Sequence, residues 1–234
     1  NETLQQRGIE LAGDDSRFAC LRAALQAGRS ITTAAVGGSI TAGSSYGTSS
    51  TGADFLYHRK VAKALDAYFP VEGGHRHHNG GVPGTGPTYM EHCVQDHLPS
   101  VPSLIMLEYA VNIDRRHAAF ERLLRRLLLS QPQAALLVVN AHRWRVVRSH
   151  DGRTDKCWHP GWPVDMVHNR TQWLAQTFGH EAGATDALNA DEDAVAALCR
   201  HYNVPLVSQR AALVEAVRRG EIAIPDFMRD CKHP

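Results

Sequence analysis

Five candidate strands, four of them short apolar runs, alternate with helix-forming stretches, and no hairpin signal joins any two of them. The strands fall at residues 31–36, 71–78, 103–110, 134–139 and 204–207; the second is weak, and the fourth is the cleanest apolar run. Strands that tight turns do not join must be joined by crossovers, which are usually helices packed on the sheet. The alternation therefore predicts an α/β chain: a three-layer α/β/α domain with a five-stranded parallel sheet, helices on both faces and right-handed crossovers. Helices are expected at residues 14–26, 54–69, 88–98, 114–130, 166–179, 191–202 and 208–219. Asp14 or Asp15 is placed to cap the first, Gly28 to end it, and Pro70 to close the second. A chain of 234 residues, 43% of them hydrophobic, has material for one substantial core, so a single domain over residues 1–234 is expected.

Such sheets bind ligands beyond the carboxyl ends of their strands, where the strand order reverses. Three small or polar positions follow predicted strands and are expected to meet there: Ser39, Gly84 and Asn112. The first lies in Val36-Gly37-Gly38-Ser39-Ile40-Thr41-Ala42-Gly43, where a β-branched run stops at two glycines. Glycines permit a tight turn and a close backbone approach. A serine on such a turn exposes its hydroxyl at a strand end, which suits a nucleophile. A phosphate-binding loop or an ordinary strand–helix turn would have the same appearance. The second is Asn79-Gly80-Gly81-Val82-Pro83-Gly84-Thr85-Gly86, preceded by His75, His77 and His78. Only His75 and His77 share a face at strand spacing, and no carboxylate lies beside them in sequence, so a metal site is not assigned. No cofactor is called for either.

The formal net charge is +1 with 14 histidines taken as neutral, and no large basic face stands out, which argues against a nucleic-acid partner. Arg115, Arg116, Arg122, Arg125 and Arg126 read as the solvated face of a helix rather than a basic patch. No apolar run has membrane-spanning length. Of five cysteines, Cys20, Cys93, Cys157, Cys199 and Cys231, none forms a C-x-x-C pair, and the odd number leaves at least one thiol free or intermolecular. Two sequons, Asn1-Glu2-Thr3 and Asn169-Arg170-Thr171, lean towards a glycoprotein of the secretory pathway. The chain begins without Met, so an N-terminal segment is expected to have been removed or left out. Residues 143–166 read as one long irregular stretch that carries Trp144, Trp158 and Trp162, with Pro160 and Pro163 excluding a helix. Its indoles either stack on sugar rings of a substrate or form the loop's own core.

Four features, in order, bear a joint resemblance. They are the Gly-Gly-Ser turn, the Asn-x-x-x-x-Gly loop, Glu108-Tyr109-Ala110-Val111-Asn112, and Asp230-Cys231-Lys232-His233-Pro234. Together the set resembles the SGNH hydrolases, also called GDSL-type esterases and lipases, and the last two blocks look most like plant and green-algal members. The resemblance spans residues 36–234 and implies a flavodoxin-like sheet and ester hydrolysis. It makes Ser39 the nucleophile, His233 the general base and Asp230 the residue that orients it. The Ser39 N–H, the Gly84 N–H and the Asn112 amide become the oxyanion donors. Three departures stand out. Gly38 replaces the family's Asp, Ala110 and Ile113 replace a Gly and an Asp around Asn112, and the family's closing C-terminal helix is not expected after His233.

Two function classes follow. One is a secreted serine esterase acting on acyl esters through an acyl-enzyme, with O-acetylated polysaccharide as the preferred partner and lipid or small-molecule esters next. The other is a non-catalytic domain of the same fold, a structural or glycan-binding part of a larger assembly. Intact Ser39, Asp230 and His233 favour the first.

Overall fold

The computed structural model describes residues 2–44, 54–142 and 184–222. In chain order they form α1 (Glu2–Gly8), β1 (Ile9–Leu11), α2 (Ser16–Gln26), β2 (Thr32–Gly37), α3 (Ser39–Ala42), α4 (Tyr57–Tyr68) and β3 (Arg76–Asn79). There follow α5 (Pro87–Cys93), β4 (Leu104–Glu108), α6 (His117–Ser130), β5 (Ala135–Asn140), α7 (Ala184–His201), β6 (Leu206–Ser208) and α8 (Gln209–Arg219). Short 3-10 turns cover Val94–His97 and Ala110–Asn112.

The strands make one sheet in the order β1-β6-β5-β4-β2-β3. β2 pairs in parallel with both β3 and β4, and β5 pairs in parallel with β4 and β6. The five parallel strands thus follow the flavodoxin-like order, which reverses at β2 and opens a crevice between β2 and β4. The expected count of five strands needs correcting to six, because β1 pairs antiparallel with the outer side of β6. Its sequence, Ile9-Glu10-Leu11, is too short to show a period, and Ile9 is 57% exposed, so pairing rather than burial defines this strand.

Alternation along β4 assigns the two faces. Ile105 and Leu107 join Ala34, Val36, Leu136 and Val138 under α5, α6 and α7, whose contributions include Met90, Phe120, Leu124 and Val195. Leu104 and Met106 join Ile31 and Ala35 under α2 and α4, against Leu21, Leu25 and the partly buried Val61 and Leu65. Strands covered on both faces are apolar throughout, which is why residues 104–107 read as a continuous run. The expected strand at 71–78 is only its second half. Gly73 and Gly74 adopt φ of +78° and +70°, left-handed values that a strand cannot hold, so β3 starts at Arg76.

At the first expected helix, Asp15 holds the N-cap position without a side-chain cap bond, and the Asp14 carboxylate before it accepts the Ser16 N–H at 2.8 Å. The arginine face of α6 is only partly solvated. Arg122 forms a bidentate pair with Glu91 at 2.5 and 3.0 Å, and Arg126 donates to the Glu91 carbonyl at 2.6 Å. Glu91 is 6% exposed, and the Arg122 guanidinium holds its carboxyl below the ordinary range. This pair ties α6 to α5 and uses one of the arginines that sequence periodicity assigns to solvent. The helix expected at 166–179 lies outside the described residues.

Candidate active site at the carboxyl ends of β2 and β4

β2 ends at Gly37, directly opposite Glu108 at the end of β4. Gly38 then adopts φ −87° and ψ −144°, and Ser39 opens the single helical turn α3, held by Ala42 N–H to the Gly38 carbonyl at 2.9 Å. Ser39 is half-buried, at the sheet edge where the strand order reverses. Gly37 is sterically required, and at Gly38 a side chain would have to push the Asn112 amide aside. A Cβ on Gly37 would lie 2.0 Å from Thr41 Oγ1 and 2.6 Å from the Glu108 carbonyl. A Cβ on Gly38 would lie 2.7 Å from Asn112 Oδ1 and 3.3 Å from the Thr85 carbonyl.

These near-contacts bring the three loops together. Asn112, at the end of the 3-10 turn after β4, lays its amide on Gly38, the residue before Ser39. The loop after β3 is bonded to the first turn through Gly80 N–H to the Ala35 carbonyl (2.8 Å) and Val82 N–H to the Gly37 carbonyl (2.9 Å). The same loop meets Asn112 at Gly86, where a Cβ would lie 2.7 Å from the Asn112 carbonyl. Between them, Gly84 has φ +71° and nothing within 4 Å of where a Cβ would be, so its backbone borders open space. Asn112 Oδ1 is buried without a hydrogen-bond partner among the described residues. Helix α6 begins only at His117, after Arg116, with no side-chain cap, so Asn112 is not there to cap it.

The turn after Asn112 is strained. Asp114 and Arg115 both take left-handed φ, 49° and 59°. Asp191, on α7 and 4% exposed, accepts the Arg115 N–H at 3.2 Å and pairs with His117 Nε2 at 2.5 Å. Its neighbour Glu192 binds His142 Nδ1 at 2.5 Å, just beyond the end of β5. Consecutive carboxylates on one helix therefore fasten two loop starts at the carboxyl edge. Neither shows in a sequence pattern, because the partners are about 50 to 75 residues away and meet only once α7 packs on the sheet.

Under Ser39 lies a second buried set. His58 Nε2 donates to the Thr41 carbonyl at 2.9 Å, since a carbonyl only accepts. His58 Nδ1 must then accept from His77 Nε2 at 2.7 Å, and His77 Nδ1 from the Thr33 hydroxyl at 2.7 Å. The pairing leaves both imidazoles neutral. Burial lowers both pKa values, that of His77 to about 4. His77 is thus occupied by His58, not by His75, the same-face neighbour weighed in the sequence; His75 Nδ1 takes the Ile31 N–H at 3.3 Å. Among the described residues no group of three or more His, Cys, Asp or Glu could hold a metal ion.

Glu108 is fully buried, and burial pushes its carboxyl up to about 7 despite the hydrogen bond from Thr41 and the Gly38 backbone N–H beside it. Glu108 and His77 act on stability in opposite directions. Between the ordinary carboxylate value and about 7, folded Glu108 holds a proton that the unfolded chain has lost, so this contribution falls as pH rises through that window. Between about 4 and the ordinary imidazole value, unfolded His77 is protonated and the folded one is not, so its contribution falls as pH drops. The two overlap and offset. A Glu108→Gln variant should therefore lose stability on acidification more steeply than the wild type between about pH 6.5 and 4.5, measured by urea midpoints. Parallel curves would contradict these assignments.

Gly38→Ala is expected to displace the Asn112 amide, the flexible end of a side chain, at little cost to the fold. If that amide acts in catalysis, kcat should drop by about 100-fold while the melting temperature barely moves. A large loss of stability with kcat intact would contradict this.

Of the sequence-derived site residues, Ser39, Gly84 and Asn112 sit on the loops just described, whereas Asp230, His233, Trp144, Trp158 and Trp162 lie outside the described residues. No family model matches the chain, and no curated protein does. Solved structures do match. A two-domain esterase active on acetylated mannans superposes with a TM-score of 0.68 at 21% identity, over 98% of this chain and 50% of that one. The same kind of enzyme co-crystallised with mannopentaose gives 0.68 at 22%, over 98% of this chain and 52% of that one. A putative GDSL-like lipase from Parabacteroides merdae gives 0.50 at 12%, over 87% and 88% of the two chains. The chain therefore has the fold of esterases and GDSL-like lipases, and spans about half the length of the two-domain esterases it resembles. Among the described residues no helix is long and apolar enough to cross a membrane.

Proposed function

We propose that the protein is a serine ester hydrolase of the SGNH type, with Ser39 as nucleophile. The observation that carries this reading is the seating of Asn112 against Gly38, which sets a side-chain amide beside a serine at the switch point of the sheet. In this reading Ser39 Oγ attacks the ester carbonyl carbon while His233 takes its proton. Asp230 holds the imidazole in the required tautomer and stabilises the imidazolium. The developing oxyanion is met by the Ser39 N–H, the Gly84 N–H and the Asn112 amide, aimed at where charge appears. The Asn112 amide suits this role, because its oxygen faces Gly38 and its nitrogen remains as the donor. Collapse expels the alcohol, which takes the proton from His233 and leaves an acyl-enzyme. Water, deprotonated by His233, then releases the acid and restores Ser39.

The substrate class proposed is an acyl ester, with O-acetyl groups on a polysaccharide preferred. The Trp144, Trp158 and Trp162 indoles would stack on sugar rings, and the similarity to esterases active on acetylated mannans supports the choice. Secretion fits a polysaccharide substrate and the two sequons. The test is release of acetate from acetylated mannan beside hydrolysis of p-nitrophenyl acetate. Turnover of both is expected. Failure on both, with folded protein, would favour the non-catalytic reading.

A further inference from the structure

We propose that Glu108 is a positioning residue for the nucleophile turn: its buried carboxyl holds the Thr41 hydroxyl beside the Gly38 N–H, and its ionisation couples that turn to pH. The inference rests on the hydrolase reading of Ser39 for its catalytic consequence, but not for the linkage itself.

The placement of Glu108 is set by the sheet. It is the last residue of β4 and pairs across the ladder with Gly37, two residues before Ser39. The four preceding residues of β4 are all apolar and buried, as a strand between two helical layers requires. A carboxyl at the fifth position is fully buried, with no cation among its contacts, and such burial is costly unless the group is put to use. Its contacts run to the nucleophile turn. Thr41 Oγ1 donates to Glu108 Oε2 at 3.2 Å, the Gly38 N–H lies beside the carboxyl, and Glu108 Oε1 is buried without a hydrogen-bond partner among the described residues. Gly38 and Thr41 bracket Ser39 in sequence, so Glu108 is bonded to the turn on one side of the nucleophile and adjoins it on the other. Gly37 has no Cβ, and one there would lie 2.0 Å from Thr41 Oγ1, so the contact depends on the glycine. A third group continues the chain: the Tyr57 hydroxyl of α4 lies 3.1 Å from Thr41 Oγ1.

With the carboxylate ionised, the order is Tyr57 O–H to Thr41 Oγ1, then Thr41 O–H to Glu108 Oε2, each donor used once. The groups facing Glu108 from the packed elements are the Gly38 N–H and Thr41 on the turn and the Tyr57 phenol on α4, with the Tyr109 phenol adjacent in sequence. Both phenols stay protonated through neutral pH, because burial drives their pKa values up. Glu108 is then the group of this set that changes charge near neutrality. Ionised, it makes charge-assisted and shorter bonds to the turn; protonated, it holds the turn more loosely.

The experiment follows the Gly38 amide by proton–nitrogen NMR from about pH 5.5 to 8.5, in wild type, Glu108→Gln and Glu108→Leu. In wild type the amide proton should move downfield in one step centred near 7, as the carboxyl beside it gains its charge. Glu108→Gln should abolish the step while keeping a folded spectrum. A flat Gly38 shift in wild type, or an unchanged step in Glu108→Gln, overturns the inference. In parallel, Glu108→Leu should lower kcat on p-nitrophenyl acetate by about 100-fold with KM within about two-fold, and Glu108→Gln should recover part of that loss, as expected for misplacement of a nucleophile. Wild-type kcat in the Leu variant also overturns it. If wild type shows no esterase activity, the hydrolase reading fails, while the Gly38 titration still decides the Glu108 linkage.

Discussion

Ser39→Ala should reduce ester hydrolysis by about a million-fold in kcat while the protein stays folded. The size follows from the chemistry: without Oγ there is no acyl-enzyme, and only the bare donors and substrate binding remain to assist water. The fold should tolerate the change because Ser39 is half-buried at a turn, outside both core clusters. The turn itself is held by the Ala42 N–H on the Gly38 carbonyl and by the Thr41 hydroxyl on Glu108. Hydrolysis of p-nitrophenyl acetate and the urea midpoint, measured on one preparation, check both halves. Residual activity within about ten-fold of wild type would mean that another group attacks the ester.

Asn112→Ala should lower kcat and kcat/KM together by about 2.7–4 kcal/mol in barrier, with KM little changed. A donor that meets charge only in the transition state has this signature. A capping Asn would instead cost about 1 kcal/mol of stability and spare kcat. The structure weighs against capping, since α6 starts after Arg116 and its N-terminus has no side-chain cap. The Asn112 oxygen is also already without a hydrogen-bond partner among the described residues, so truncation should cost the fold little. A normal kcat with a lowered melting temperature would remove Asn112 from the site and point to the drift suggested by Ile113, which is fully buried in the core behind it.

What the sequence reveals of the fold depends on how each element is buried. Strands β4 and β5 lie between two helical layers and so announce themselves as apolar runs, as does the half of β2 at residues 34–36. β1 does not, because a three-residue edge strand with Ile9 exposed is specified by its partner β6. The order of strands is implied by alternation only through the reversal at β2, and that reversal is what brings the loops after β2, β3 and β4 to one edge. The glycines at 37 and 38 are visible as a turn signal, but their reason is not. One makes room for Thr41 and the Glu108 carbonyl, the other for Asn112, contacts across some 70 residues of chain. Supporting polar groups were hidden for the same reason. His58 lies within the expected helix at 54–69, and only packing discloses that it is fully buried and bonded to His77. Asp191 and Glu192 lie at the start of the expected helix at 191–202, and the structure shows both nearly inaccessible and holding loop starts through histidines.

The central claim is that Ser39 is an activated nucleophile, and covalent capture tests it most directly. Intact protein is treated with a fluorophosphonate at about pH 8, where an imidazole base is neutral, and the modified peptide is located by mass spectrometry. The account predicts one phosphonyl group per chain, on Ser39, forming slowly at about pH 5 and not at all in Ser39→Ala. An unmodified Ser39 in folded wild-type protein, or an adduct on any other residue, would contradict it.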